Sequence, residues 1–495
     1  MFSTVYTNIV VSLLMLAYTL NFIDRTIIAT IGQAIKVDLK ITDAQLGLLG
    51  GPAFALLYTF LGIPLARLAE RWKRVWIISL ALLIWSGFTA LCGFALGFGQ
   101  LLAYRVGVGF GEAGLSPSAH SLISDYFEPK RRSSALAVYS FGIPLGTMFG
   151  ATLGGLLAQT YGWRVAFMAV GAPGILMAFL LWLIVKEPPR GQSERVYATD
   201  TADEVAADAP VPVQPFSVGY ELSELGAVAK SLFLKWPVLN MVLGITLTSF
   251  AGYGAGQFVP PYFIRTFGLS YATVGLATGL TGGFSSGIGT LLGGFTTDWV
   301  SRRSGRWYAL VPAIGVGIGA PIYMLAYSYP DWKIAILILL IPGVFGYTYL
   351  GPTFAVIQNV VAPRRRATAT ALLFFVLNLI GLGGGPVLVG LLIDQFAQFH
   401  FAHPDAHGFF ETVVHSFAPV ARGAARFASS CPGGAAPKGA AAALAGACKS
   451  ALLSATHEGV IAGVCFSVWG AFHFFLASFG MAEELKRAEA LRPSA

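Results

Sequence analysis

The 495-residue chain is 55% hydrophobic and only 11% charged, with a mean hydropathy of +0.68. A soluble domain carries roughly a quarter charged residues, so the composition excludes one and specifies a polytopic membrane protein. The formal net charge of +8 does not point to nucleic acid, because the bases cluster at the ends of apolar runs and read as topology determinants.

Apolar runs fall near 6–29, 44–66, 75–97, 100–124, 133–158, 164–186, 236–260, 272–297, 306–327, 333–360, 367–395 and 456–480. Each has the length of about 20 residues that a ~30 Å hydrocarbon core requires. The first lacks a basic n-region and reads as a spanning helix, not a signal peptide. The fold class is therefore all-α, with twelve transmembrane helices in two six-helix bundles. Residues 1–186 form the first bundle and 236–480 the second. Between them, 187–235 is rich in Pro, Ala and acids and reads as a flexible linker, followed by a short amphipathic helix. Residues 481–495 are a tail.

Alternate loops carry Arg71-Trp72-Lys73-Arg74, Lys130-Arg131-Arg132, Arg302-Arg303 with Arg306, and Arg364-Arg365-Arg366, whereas the loops between them are poor in Lys and Arg. The positive-inside rule puts the linker and both termini in the cytoplasm of a multi-pass inner (plasma) membrane protein. Pro129-Lys130-Arg131-Arg132 also echoes Pro363-Arg364-Arg365-Arg366, and Glu70-Arg71 through Arg74 echoes Asp298 through Arg302. Both echoes have an offset near 230 residues, the mark of a duplicated six-helix unit.

One segment, 396–455, departs from the pattern as a long Ala/Gly-rich outer loop. Cys431 and Cys448 lie there, where an oxidising compartment permits a disulfide, although two thiols in a low-complexity loop need not approach. His400, His403 and His407 share the loop, but Pro404 interrupts their run, so they read as surface histidines and no metal site is expected.

The fourth span holds the costliest residues. Arg105 and Glu112 are the only formal charges in 100–124. Seven residues apart, they project from one helical face about 10 Å apart along the axis. Ionisable groups at that depth normally face a partner or a water-filled cavity.

Asn21-Phe22-Ile23-Asp24-Arg25, Arg105 through Ala113, Ser124-Asp125-Tyr126-Phe127, the glycines 142, 146, 150 and 154, and Lys186 through Gly191 together resemble the major facilitator superfamily, specifically its spinster-like branch. The resemblance covers nearly all the chain except the outer loop and tails. It implies that the first and fourth spans line a central cavity, making Asp24, Arg105 and Glu112 neighbours at the substrate and proton-coupling site. Arg25 turns towards the outer surface or pairs locally with Asp24. It also implies a cytoplasmic gating motif in two copies: Glu70, Arg71 and Arg74, joined by Asp125, and then Asp298 with Arg302. Ala66 and Glu70 replace the family's Gly and Asp in the first copy. The fifth-span glycines let helices approach closely and slide, and Gly383-Gly384-Gly385-Pro386 plays a comparable part in the eleventh.

The resemblance further implies a monomeric secondary transporter embedded among membrane lipids, carrying an amphipathic anion such as sphingosine phosphate or a lysophospholipid, with protons as coupling partner. Protonating Glu112 would release Arg105 to bind substrate, and a static buried ion pair is the alternative. Aromatics such as Tyr58, Phe141, Tyr253, Phe258 and Phe374 suit an amphiphile; Asn240, Gln257, Gln358, Asn359 and Asn378 leave a small organic-anion, sugar-acid or multidrug carrier open. No Gly-x-x-x-x-Gly-Lys-Ser/Thr or His-Glu-x-x-His occurs, so neither direct ATP use nor an enzyme is expected, and no cofactor is implied.

Overall fold

Backbone groups in hydrocarbon must satisfy one another, so apolar runs of this length become helices. The computed structural model describes residues 3–127, 129–189, 218–361, 366–406, 408–417 and 426–490. Among the described residues nine helices are long and apolar enough to cross a membrane. One of them, Ser134–Ile184, is long enough for two passes and bends at Gly162, whose φ of 84° few other residues adopt. The fourth span is helical as Phe98–Glu112 and Leu115–Tyr126, and the Gly/Thr-rich eighth as Tyr271–Ser301. These segments account for all twelve expected spans. The linker helix is Val218–Phe233.

Several spans are interrupted, the tenth among them, where Trp332–Phe345 gives way to Leu350–Asn359. The second breaks at Gly51, where Pro52 starts a new helix. The fourth breaks at Ala113-Gly114. The eleventh has a π-helical turn, Leu377–Leu382, directly before Gly383-Gly384-Gly385-Pro386. Pro386 has no N–H to donate and crowds the preceding turn, and a wider turn there relieves both problems.

The twelfth span differs from its expected limits. It begins at Ala442 and not at 456, and the eleventh runs on to Ala402. The Ala-rich sequence that reads as low-complexity loop is a good helix former, and it extends the helix beyond the apolar run. The loop between them also contains the short helix Phe409–His415.

The fifth-span glycines pack inside the first bundle. A Cβ on Gly146 would lie 2.4 Å from the Cβ of Phe22, and one on Gly150 2.9 Å from the Cα of Ile23. Other small residues set the contacts between bundles. A Cβ on Gly155 would lie 2.3 Å from the Tyr271 carbonyl oxygen, and one on Gly275 2.3 Å from that of Ala151. The fifth and eighth spans therefore cross backbone to backbone. The second and eleventh do the same, with Gly47 against the Pro386 carbonyl (2.2 Å) and Gly390 against that of Asp43 (2.3 Å). Both crossings lie towards the end away from the basic loops. Towards the basic loops a cavity of about 2730 Å³ separates the bundles.

Candidate functional site

First-span residues Tyr18, Phe22, Arg25 and Ala29 recur at helical spacing and line the cavity. Asn21, Asp24 and Ile28 lie on the adjacent face of the helix and are buried. Arg25 therefore neither turns to the outer surface nor pairs with Asp24. Its Nε donates to Glu112 Oε2 at 2.8 Å, across to the fourth span. The guanidinium lies 5.1 Å from the Phe22 ring centroid and 4.6 Å from those of Phe54 and Tyr58. Its side chain is 17% exposed, whereas that of Glu112 is fully buried. An arginine stacked on aromatic faces keeps its charge and presents a planar fork.

Arg105 is more deeply placed than the sequence suggests. It is 1% exposed, and donates from Nε to the Leu49 carbonyl (3.3 Å) and from Nη1 to the backbone carbonyl of Asp24 (3.4 Å). Asp24, Arg105 and Glu112 are electrostatic neighbours. Nevertheless the arginine that holds the Glu112 carboxyl is Arg25. Among the described residues, Asp24 Oδ1 and Glu112 Oε1 are buried with no hydrogen-bond partner. The fourth span thus meets the first through a polar interior; Arg25 and Arg105 both line the cavity, and Arg25 is the more exposed of the two.

The rest of the cavity wall is mostly apolar, with hydroxyl and amide side chains interspersed. Tyr58, Phe141, Tyr253 and Phe374 line it, but Phe258 is fully buried in the second bundle. Gln257, Gln358 and Asn378 also line it. Asn240 instead donates to the Trp236 carbonyl and meets His473 Nδ1 at 2.8 Å, so packing claims it.

The gating residues fall into two groups. Arg74 is buried at the basic-loop end and holds Asp125 by an ion pair, Glu187 at 2.8 Å and the Ser121 and Pro188 carbonyls at 3.1 Å each. That cluster ties the third and fourth spans to the chain leaving the sixth, all within one bundle. Arg71 is exposed at the cavity mouth. Asp298 and Arg302 are exposed, and among the described residues neither forms an ion pair. The Glu70 side chain lies outside the described residues, as do Arg364 and Arg365.

The far end carries a cluster that sequence reading passed over. Arg265, closing the seventh span, donates to Asp43 Oδ1 at 2.6 Å, Gln33 at 2.8 Å and Thr456 at 2.8 Å. Lys36 completes the pair on Asp43. Asp394 of the eleventh span accepts from the Asp43 and Ala44 amides at 3.0 and 2.9 Å, capping the helix Asp43–Gly50 from the other bundle. Lys36, Asp43 and Arg265 are almost wholly buried, so the two halves are closed here. A disulfide joins Cys431 of the covering loop to Cys448 of the twelfth span. His400 is not a surface residue: it is buried, 2.8 Å from Glu458, with Thr412 beside both. His407 lies outside the described residues.

A polar centre between two six-helix halves, closed at one end and open at the other, is the arrangement of a carrier that exposes one site alternately. Residues 14–386 match the Major Facilitator Superfamily. This chain belongs to that superfamily. Among curated relatives, an MFS-type efflux pump of Mycolicibacterium smegmatis is 34% identical over 388 residues, covering 78% of this chain and 85% of that protein. Protein spinster homolog 1 of Xenopus tropicalis is 29% identical over 77% of this chain and 71% of its own. The hexuronate transporter of Bacillus subtilis is 25% identical over 79% and 89%. A crystal structure of a bacterial homologue of the human lysosomal transporter spinster, inward-facing and unoccupied, superposes with a TM-score of 0.79 at 32% identity, covering 98% of this chain and 99% of that one. This superfamily member is a secondary transporter of the spinster-like type, and not an enzyme.

Proposed function

We propose that this transporter carries an amphipathic anion, lipid-like in having one charged headgroup and an apolar body, by alternating access linked to protons. The observation that carries the reading is Arg25: a guanidinium held between three aromatic rings, paired on one side and facing the cavity on the other. A headgroup carboxylate or phosphate would accept from that fork, and the aromatic and aliphatic part of the wall would take the apolar body. With Arg25 engaged by substrate, Glu112 becomes a buried carboxylate without its cation, a state relieved by taking a proton. Substrate and proton thus enter as alternatives to the Arg25–Glu112 pair. Arg105 and Asp24 act behind it, fixing the first span against the fourth.

On this reading the basic loops face the cytoplasm of the inner membrane, the chain works as a monomer, and the bundles are 1–186 and 236–480. Asp298, Arg302 and Arg71 engage only when the cavity closes at the cytoplasmic end. Arg74 with Asp125 and Glu187 keeps the first bundle rigid in both states.

A second reading, a carrier for sugar acids, is favoured by Gln257, Gln358 and Asn378 on the cavity wall and by the hexuronate-transporting relative. The deciding experiment is a thermal-shift screen of lysolipids, sphingoid phosphates and sugar acids against the parent and Arg25→Ala. An amphipathic anion should stabilise the parent and not the variant, and should exchange in proteoliposome counterflow. Stabilisation by sugar acids alone would replace the first reading with the second.

A further inference from the structure

The far-end ion cluster is covered by a short piece of the outer loop that is tethered to one half of the molecule and rests on the other. The segment Phe427–Ser430 and the turn Pro432–Gly434 are tied to the second bundle twice. The Cys431–Cys448 disulfide joins the turn to the twelfth span, and the Phe427 amide donates to Gln398 of the eleventh at 2.7 Å. Their underside rests on the first bundle. Phe427, Cys431 and Cys448 are buried in the same apolar cluster as Ile31 and Ile35.

Gly433 and Gly434, at φ 70° and 88°, turn the backbone flat against the short helix Gly32–Leu39. A Cβ on Gly433 would lie 3.0 Å from the Lys36 carbonyl oxygen and 3.2 Å from the Lys40 Cα. One on Gly434 would lie 2.7 Å from Leu452 and 3.4 Å from Lys36 Nζ. The turn therefore sits on the residue that pairs with Asp43, and Asp43 pairs with Arg265.

We propose that this disulfide-braced turn is a lid that holds the far end shut and so sets the resting state of the transporter. The two tethers carry the lid away with the second bundle when the far end opens. Its contacts with Gly32–Leu39 then exist in the closed state alone, and only such differential contacts shift a conformational equilibrium. The lid also keeps water from the Lys36–Asp43–Arg265 cluster, where a lower dielectric strengthens the ion pairs. Without the disulfide the segment would have to be ordered afresh at each closure, at the expense of its chain entropy.

The test is a pair of spin labels at exposed far-end positions of opposite halves, Leu96→Cys and Lys333→Cys, in a Cys92→Ala/Cys465→Ala background reconstituted in nanodiscs. Double electron–electron resonance gives the fraction of molecules with separated far ends. Cys431→Ser/Cys448→Ser releases the lid. Gly433→Ala unseats it with both tethers intact, and keeps the test decisive where the double variant fails to fold. Both should raise the separated fraction about fivefold, a modest value for coupling between two states. An unchanged distance distribution in monodisperse Gly433→Ala overturns the proposal, whatever the double-serine variant does.

Discussion

Arg25 Nε and Glu112 Oε2, 2.8 Å apart, join the first span to the fourth across the cavity wall, with the base partly open to the cavity and the acid closed off. If substrate displaces Glu112 from Arg25, the freed carboxylate needs a proton, and transport becomes pH-dependent. Glu112→Gln removes that site while keeping a hydrogen-bond acceptor for Arg25. The variant should retain counterflow but lose the pH dependence of net transport in proteoliposomes. Full activity with an unchanged pH profile would rule out the coupling role.

The two arginines should separate by readout. Arg25→Ala removes the cavity-facing charge, and losing a charge-assisted hydrogen bond of about 1.5–3 kcal/mol weakens binding roughly 10- to 100-fold. Arg25→Lys keeps a cation but loses the planar fork and its stacking on Phe54 and Tyr58, so its affinity should fall between the two. Arg105→Ala instead strips donors from two backbone carbonyls inside the bundle. Its main effect should be a lower melting temperature. A loss of affinity in Arg105→Ala that exceeds the loss in Arg25→Ala, at equal folded fraction, would return the headgroup role to Arg105.

Why the sequence points to Arg105 and not Arg25 is a matter of helix phase. A charge within an apolar run announces a polar interior, and Asp24, Arg105 and Glu112 are indeed neighbours there. Depth along the axis follows from counting residues, but which of the adjacent Asp24 and Arg25 faces the cavity depends on how the first span is rotated, and close packing against the fifth-span glycines fixes that. The spans and the basic loops were legible because hydrophobicity and charge are local properties. The far-end cluster was not, because Arg265 and Asp394 stand near span ends, where a lone charge resembles ordinary topology. Their partners, Asp43 and the amides at the start of the second span, are more than 200 residues away.

The two copies of the gating motif should respond differently to mutation. Arg74 is buried against Asp125 and Glu187, and removing one member of a buried pair costs about 3–5 kcal/mol. Both partners keep some exposure, which places Arg74→Ala near the lower figure and should lower the melting temperature by several degrees. Asp298 forms no ion pair among the described residues in this state. Asp298→Asn should leave the melting temperature unchanged while slowing turnover, as expected of a group that engages only when the opposite end closes. A melting shift in Asp298→Asn as large as that of Arg74→Ala would contradict this division.

Closure of the far end depends on contact between backbones as well as on charge. At Gly275 a Cβ would lie 2.3 Å from the Ala151 carbonyl oxygen, which belongs to a helix backbone and cannot rotate aside. Gly275→Val should therefore wedge the fifth and eighth spans apart and populate molecules open at the far end. Arg265→Ala should act in the same direction by another route, because it takes the bidentate partner from Asp43 and leaves Lys36 alone to balance it. The distinction lies in salt dependence. High ionic strength screens exposed charges and stabilises neither state sterically, so the opening caused by Gly275→Val should be insensitive to salt. Arg265→Ala leaves charges that become hydrated as the end opens, and its open fraction should vary with ionic strength. A far end that stays shut in Gly275→Val, read by distance measurement between the halves, would mean that the crossing can slip without reopening the cavity.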